Sequence, residues 1–327
     1  MRRGVHDEQR QRWTEGLVRE LGETIVGALG DDDLVEVLLN PDGRIWLDSR
    51  TEGMYDSGAR LLPQEAEAIL ASIAGMLGTQ IDAEHPIIEA ELPLDGSRIE
   101  GMVPPLVANP CFVIRKRATR VFPLSHYIAA GSMTVAHAGL LRSAIAERRN
   151  ILVSGGTGSG KTTLVNAILD EMVRLGEPSE RFILLEDTVE LQCTAENHTA
   201  LRTTRHVDLA TLVKATMRLN PDRIIIGEVR GREALDLLKA WNTGHPGGCT
   251  TVHANNAVAA LHRLDQLAQE AGVPSQRALI ADTVGLVVHI EGGSRGRRVS
   301  ELVRVAGLAG DGSFRLEPSA AGPNQEE

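Results

Sequence analysis

Apolar positions in the first third of the chain fall in short runs separated by turn residues. DLVEVLLNPDGRIWLDS, 33–49, has two β-rich runs flanking Pro41-Asp42-Gly43, turn chemistry that predicts a β-hairpin. LPQEAEAILASIAGMLG, 62–78, predicts a helix, with Pro63 near its start and Gly78 past its end. EAELPLDGSRIEGMVPPL, 89–106, predicts a second strand pair around Asp95-Gly96, and CFVIRKRA, 111–118, a further short strand. These elements make 1–120 a small α+β domain, with a linker over 121–132.

From 133 onward helix and strand periods alternate. VAHAGLLRSAIAERR is helical and NILVS is a buried strand. TTLVNAILDEMVRLG is an amphipathic helix with Leu164, Ile168, Met172 and Leu175 on one face. FILLE, 182–186, and RIIIGE, 223–228, are strands that run straight into acidic residues. This alternation predicts an α/β domain over 133–315, a mainly parallel sheet with helices on both faces. The remainder, 316–327, reads as a disordered tail. No internal repeat is visible.

Composition narrows the class. The chain has 327 residues, is 42% hydrophobic and has only 3% aromatics, so a sizeable core must be built from Leu, Ile, Val and Ala. Its net charge of -10 argues against a broad nucleic-acid-binding face, and no sequence-specific nucleic-acid binding is expected. Cys111, Cys193 and Cys249 are far apart and form no C-x-x-C pair, so neither a disulfide scaffold nor a zinc site is expected. The start, MRRGVHDEQRQRW, lacks the apolar stretch of a signal peptide, and no apolar run approaches the roughly 20 residues of a membrane span. A cytoplasmic protein is expected.

The candidate chemistry begins at 155–163. Gly155, Gly156, Thr157, Gly158, Ser159, Gly160, Lys161, Thr162 and Thr163 complete the P-loop pattern between a β run and an amphipathic helix. Glycines let backbone N–H groups face phosphate oxygens, Lys161 supplies charge to the β- and γ-phosphates, and the Thr162 hydroxyl is a Mg²⁺ ligand. Hydrolysis also needs carboxylates near the metal and the attacking water. LLEDTVEL, 184–191, offers Glu186 and Asp187, while its Glu190 reads as structural, an arginine partner; RIIIGEVRG, 223–231, offers Glu228. Ligands of such sheets bind outside the carboxyl ends of the strands, so both acidic groups are expected toward the glycine loop. In GHPGGCTTVHAN, 244–255, His253 at a strand end suits a γ-phosphate sensor, and His245 suits either that site or a turn. Arginines outnumber lysines 30 to 4, and Arg98, Arg115 and Arg230 stand where phosphate is expected; taken singly, each also reads as surface charge.

The order GGTGSGKTT, LLEDTVEL, MRLNPDRIIIGEVRG, GHPGGCTTVHAN resembles the secretion-superfamily ATPases of type II and type IV secretion, type IV pili and conjugation, as their Walker A, Asp box, Walker B and His box. GEVRGREALDLLKAWNTGHPGG and the LLNPDGRIWLD hairpin are similar to the conjugal-transfer branch. The resemblance implies a homo-hexameric ring of RecA-like domains that hydrolyses ATP with Mg²⁺ and docks on inner-membrane components of a conjugation channel. It assigns Glu228 to the attacking water, Glu186 to Mg²⁺ and that water, and Arg115 and Arg98 to the phosphates. Two departures stand out. Asn220 replaces the first arginine of the usual R-P-D-R, and the tetracysteine zinc module of type II secretion is absent. A pilus motor, a DNA translocase and a non-hydrolysing nucleotide scaffold are the competing readings. The acidic, aromatic-poor composition counts against the translocase, and Glu228 and Glu186 count against the scaffold.

Overall fold

The structure, a computed structural model, describes residues 2–117, 121–204, 206–293 and 296–318. The chain divides into two compact units, Met1–Arg117 and Ala118–Glu327.

The first unit contains α1 (Arg2–Gly30, kinked at Gly22), β1 (Leu34–Leu39), β2 (Arg44–Ser49), β3 (Gly53–Arg60), α2 (Pro63–Met76), β4 (Ile87–Glu91), β5 (Arg98–Met102) and β6 (Cys111–Arg115). The strands form one antiparallel sheet in the order β3-β2-β1-β6-β5-β4. Burial alternates along the central strands, as it does when one face is packed and the other is not. Val37, Leu39, Ile45, Ile99, Phe112 and Ile114 join Leu17, Leu21 and Ile25 of α1 and Ile69, Leu70 and Ile73 of α2 in a single core. On the opposite face Glu36, Arg115, Arg98 and Glu91 stand in one cross-strand row, set by the pairs Glu36↔Arg115, Arg98↔Arg115 and Glu91↔Arg98.

The second unit contains α3 (Leu124–Ala129), α4 (Val135–Ala146), β7 (Asn150–Gly155), α5 (Lys161–Leu175), β8 (Phe182–Glu186), β9 (His198–Arg202), α6 (Leu209–Thr216) and β10 (Arg223–Ile226). It continues with α7 (Glu233–Asn242), β11 (Cys249–His253), α8 (Ala257–Gln269), α9 (Arg277–Thr283), β12 (Val284–Glu291), β13 (Arg298–Leu308) and β14 (Phe314–Pro318). The sheet order is β14-β13-β12-β7-β11-β10-β8-β9. The six strands from β12 to β9 are parallel, and β13 and β14 add an antiparallel edge, so the sheet is mixed. Helices α3 to α5 pack into the core on one face and α6 to α9 into the core on the other. Every residue of β7, β8 and β10 is buried, which is why these strands read as unbroken apolar runs. Each fully buried Ile or Leu there contributes about 1.5–3 kcal/mol of transfer free energy.

Three details differ from the sequence expectation. The stretch 121–132 carries α3, whose Leu124 and Tyr127 are buried among the residues of the second unit's core. Leu164, Ile168 and Met172 are fully buried, but Leu175 is 42% exposed because α5 ends there, beyond the cover of its neighbours. Residues 316–318 of the expected tail complete β14, and 319–327 lie outside the described residues.

Candidate active site

The loop between β7 and α5 is held by shape. A Cβ on Gly155 would lie 2.3 Å from the Ile290 carbonyl oxygen and 2.5 Å from Ser159 Oγ, so no side chain fits. Gly160, at φ +96°, turns the chain into α5 through a conformation that other residues resist. As N-cap it offers no side chain, so the first N–H groups of this 15-residue helix receive no capping hydrogen bond from it. Those groups and the helix dipole suit an anion. Ser159 is buried, and its Oγ finds no hydrogen-bond partner among the described residues. A glycine cradle with a buried polar atom of this kind fits a phosphate oxygen. The segment after β12 braces the loop, since a Cβ on Gly292 would come within 3.0 Å of Ser159 Cα.

Strand order gathers the polar groups. At the carboxyl ends of four adjacent parallel strands stand Gly155 of β7, His253 of β11, Gly227-Glu228 after β10 and Glu186 of β8. His253 pairs in register with Gly155. Lys161 is buried, and its Nζ donates to the carbonyls of Gly155 (3.1 Å) and Gly156 (2.9 Å) and meets His253 Nδ1 at 3.2 Å. His253 Nε2 lies 2.9 Å from Glu228 Oε1, and Arg230 donates to Glu228 Oε2 at 2.8 Å. An ammonium can only donate, so Nδ1 accepts and the ring proton sits on Nε2, facing the carboxylate. A continuous chain of contacts therefore runs from Lys161 through His253 to Glu228 and Arg230.

Arg230 is central among carboxylates. Its guanidinium pKa is raised by the hydrogen bond to Glu228, with the charges of Glu228, Asp187 and Glu190 adding to it against burial. Its backbone N–H and that of Gly231 donate to Glu233 at the start of α7, which fixes the turn. Glu186 is buried, and its Oε1 accepts the backbone N–H groups of Glu190 (2.8 Å) and Leu191 (2.7 Å). Thr162 and Thr163 open α5 and are partly exposed, while Gly156, Thr157 and Gly158 are exposed at the loop tip. Arg98 and Arg115 belong to the first unit, where they are cross-strand neighbours and Arg115 pairs with Glu36 at 3.3 Å.

Other sequence features fall elsewhere. His245 Nδ1 contacts the Pro221 carbonyl at 2.7 Å and fixes a turn at the far end of β10 from Glu228. Asn220 sits at φ +52°, a left-handed conformation that asparagine tolerates better than arginine, which gives a local reason for the departure from R-P-D-R. The three cysteines are free, and burial raises each thiol pKa, most of all at Cys249. Sequence reasoning passed over Asn166, a polar residue inside the apolar run LVNAIL, which is buried in α5. That break in an apolar run was the signal available. Glu233 gave no such signal, because an acidic residue at a helix start is ordinary.

Comparison with known proteins places the chain in a family. The family model described as "Type II/IV secretion system protein" matches residues 37–291. The chain belongs to this family. It is 50% identical over 296 residues to the conjugal transfer protein TrbB of Rhizobium radiobacter, covering 90% of this chain and 91% of that protein. It is 46% identical over 316 residues to a probable conjugal transfer protein TrbB of Sinorhizobium fredii, covering 97% and 96%. The ATPase DotB of Legionella pneumophila shares the fold, with a TM-score of 0.63 and 21% identity over 84% of this chain and 78% of that one. The family match spans every element of the site in the second unit, from Gly155 to His253. Among the described residues no helix is long and apolar enough to cross a membrane.

Proposed function

We propose that this member of the family is an ATP-hydrolysing motor of a conjugative type IV secretion system. On this reading it forms a homo-hexamer of RecA-like domains, each preceded by a small α+β domain, and works on the cytoplasmic side, docked on inner-membrane components of the channel. The observation that carries the reading is the contact chain Lys161–His253–Glu228–Arg230 beside a P-loop built for phosphates. The near full-length likeness to proteins named for conjugal transfer supports the choice of system.

The residues fit Mg²⁺ that arrives with the nucleotide. Among the described residues no cluster of three or more His, Cys, Asp or Glu side chains could hold a metal alone. One hydroxyl and one carboxylate, Thr162 and Glu186, suit an ion that takes its other ligands from phosphates and water. When bound, Mg²⁺ neutralises charge on the phosphates. Loop 155–163 holds the triphosphate through its N–H groups and Lys161. Glu228 orients the attacking water and takes its proton, with its two oxygens aimed by His253 and Arg230. His253 touches both Lys161 and Glu228, so it senses whether the γ-phosphate is in place.

Lys161→Ala tests the reading. It removes the phosphate-facing charge, so ATP binding weakens and turnover becomes unmeasurable in a steady-state phosphate-release assay. Hydrolysis by this variant at the unsubstituted rate rules the assignment out. Electron microscopy with ATP counts the subunits, and a ring of six is expected.

A further inference from the structure

We infer that Asn166 is a positioning residue for Glu186: it ties the helix that carries Lys161 and Thr162 to the loop that aims the Glu186 carboxylate. The inference rests on the ATP-hydrolysing reading above.

Asn166 is 1% exposed and sits between buried Val165 and Ala167 in α5. A polar side chain in such surroundings is destabilising unless its hydrogen bonds are made. Here both ends of the amide are used, and by a single loop. Nδ2 donates to the Glu190 carbonyl at 3.0 Å, and Oδ1 accepts the Gln192 N–H at 2.9 Å. The same loop is gripped from the other side by Glu186, whose Oε1 accepts the N–H groups of Glu190 and Leu191. Glu190 is therefore held by its N–H to Glu186 and by its carbonyl to Asn166. A shift of residues 190–192 would carry Glu186 Oε1 with it and rotate the whole carboxylate, its second oxygen included.

Position along the helix gives this clamp its consequence. Asn166 lies four residues beyond Thr162, about one helical turn, so the two share a face of α5. The chain Thr162–α5–Asn166–loop 190–192–Glu186 therefore sets the separation of the two groups assigned to Mg²⁺. Glu186 also lies against the start of the turn that bears Glu228, since a Cβ on Gly227 would be 3.4 Å from Glu186 Cγ. If Asn166 served only to satisfy a loop, its loss would affect stability and leave metal dependence alone.

The experiment compares two variants of the full-length protein. Asn166→Leu is close in size and suits the apolar surroundings. Asn166→Asp keeps an acceptor for the Gln192 N–H but sets an oxygen against the Glu190 carbonyl. In Asn166→Leu we expect affinity for a fluorescent ATP analogue to stay within about threefold, kcat to fall at least about tenfold, and the Mg²⁺ concentration for half-maximal rate to rise about fivefold or more, in line with other residues that orient metal ligands. Amide exchange at Glu190, Leu191 and Gln192 becomes faster. Asn166→Asp shows the same pattern. In a Glu186→Ala background, adding Asn166→Leu changes kcat less than about twofold, because the two act as one unit.

Unchanged kcat and Mg²⁺ dependence in a folded variant overturns the inference, as does full additivity with Glu186→Ala. Loss of folded protein in both variants assigns Asn166 to folding alone and also overturns it. The ATP reading fails separately, through an unsubstituted protein that neither binds the analogue nor exceeds Lys161→Ala in turnover.

Discussion

Glu228 is held by two cationic or proton-bearing partners, His253 on one oxygen and Arg230 on the other. Such a clamp orients a carboxylate without occupying all its lone pairs, which is what an acceptor for a water proton requires. Glu228→Gln keeps the shape and one acceptor oxygen but loses the charge. With Glu228 as general base, we expect analogue binding within about threefold and turnover lower by about 10²–10⁴-fold. Binding that falls in step with turnover would make Glu228 a structural group. At this scale the sequence marks residues by type and spacing. Lys161, Glu228 and His253 stand in motifs, and strand register sets them side by side. The same motifs do not reveal that Glu186 spends one oxygen on the backbone of 190–191, because that depends on how the following loop folds back.

Helix α5 is anchored at both ends, by the closely packed glycine loop at its start and by an ion cluster near its finish. Glu171 is 3% exposed, with Arg142 of α4 at 2.7 Å and Arg174 one turn along its own helix. Burial pushes its carboxyl pKa up, but the bonds to Arg174 and Arg142 outweigh this, and the pKa is lowered. A carboxylate with a lowered folded pKa stabilises the fold above its unfolded value of about 4.3 and loses that contribution as pH falls through the folded value. Glu171→Gln should therefore lower the urea midpoint at pH 7, by an amount matching about 1–3 kcal/mol for the bonds it leaves poorly satisfied. It should also flatten the decline of that midpoint as pH falls below the unfolded value of about 4.3. A variant whose midpoint follows the unsubstituted protein at every pH removes Glu171 from this role. The elements legible in the sequence are those with a strong local pattern: the hairpin around 41–43, α2, α5, and the apolar runs of β7, β8 and β10. Less legible were α1, whose first turns are mostly polar, and β3, an exposed edge strand with glycines at 53 and 58 in the left-handed region.

The first unit holds Arg98 and Arg115, the two arginines that the family resemblance assigns to the phosphates. Arg98 and Arg115 stand side by side on one face of its sheet, where two like charges are unfavourable unless acids flank them, as Glu36 and Glu91 do in the same row. The Arg115–Glu36 pair is partly exposed and contributes little to stability by itself, about 0–1 kcal/mol. That leaves the guanidinium inexpensive to redirect. A well-placed arginine at a transferring phosphate is worth about 10³–10⁵ in rate. We predict that Arg115→Ala lowers turnover at least about tenfold with the oligomer intact, well inside that range. Mixed assemblies of Arg115→Ala and Lys161→Ala subunits should recover activity if the arginine serves a neighbouring subunit. Turnover unchanged in Arg115→Ala would leave the residue as a surface ion pair; no recovery at any mixing ratio would confine it to its own chain.

Local patterns determined the α/β character of the second unit, because fully buried parallel strands need continuous apolar runs and the helices between them need one apolar face. They also marked the loop proposed to hold phosphate, since glycines followed by Lys161 and Thr162 at a helix start suit an anion. What only the tertiary structure decided is adjacency. Placing β11 between β7 and β10 sets His253 between Lys161 and Glu228, residues separated by 67 positions in the chain. Packing α5 against the loop after β8 turns Asn166 from an oddity in an apolar run into a strut beneath Glu186. Strand order and loop return are set by which long-range contacts bury most surface and satisfy most polar groups at once, a property of the whole chain that no local window contains.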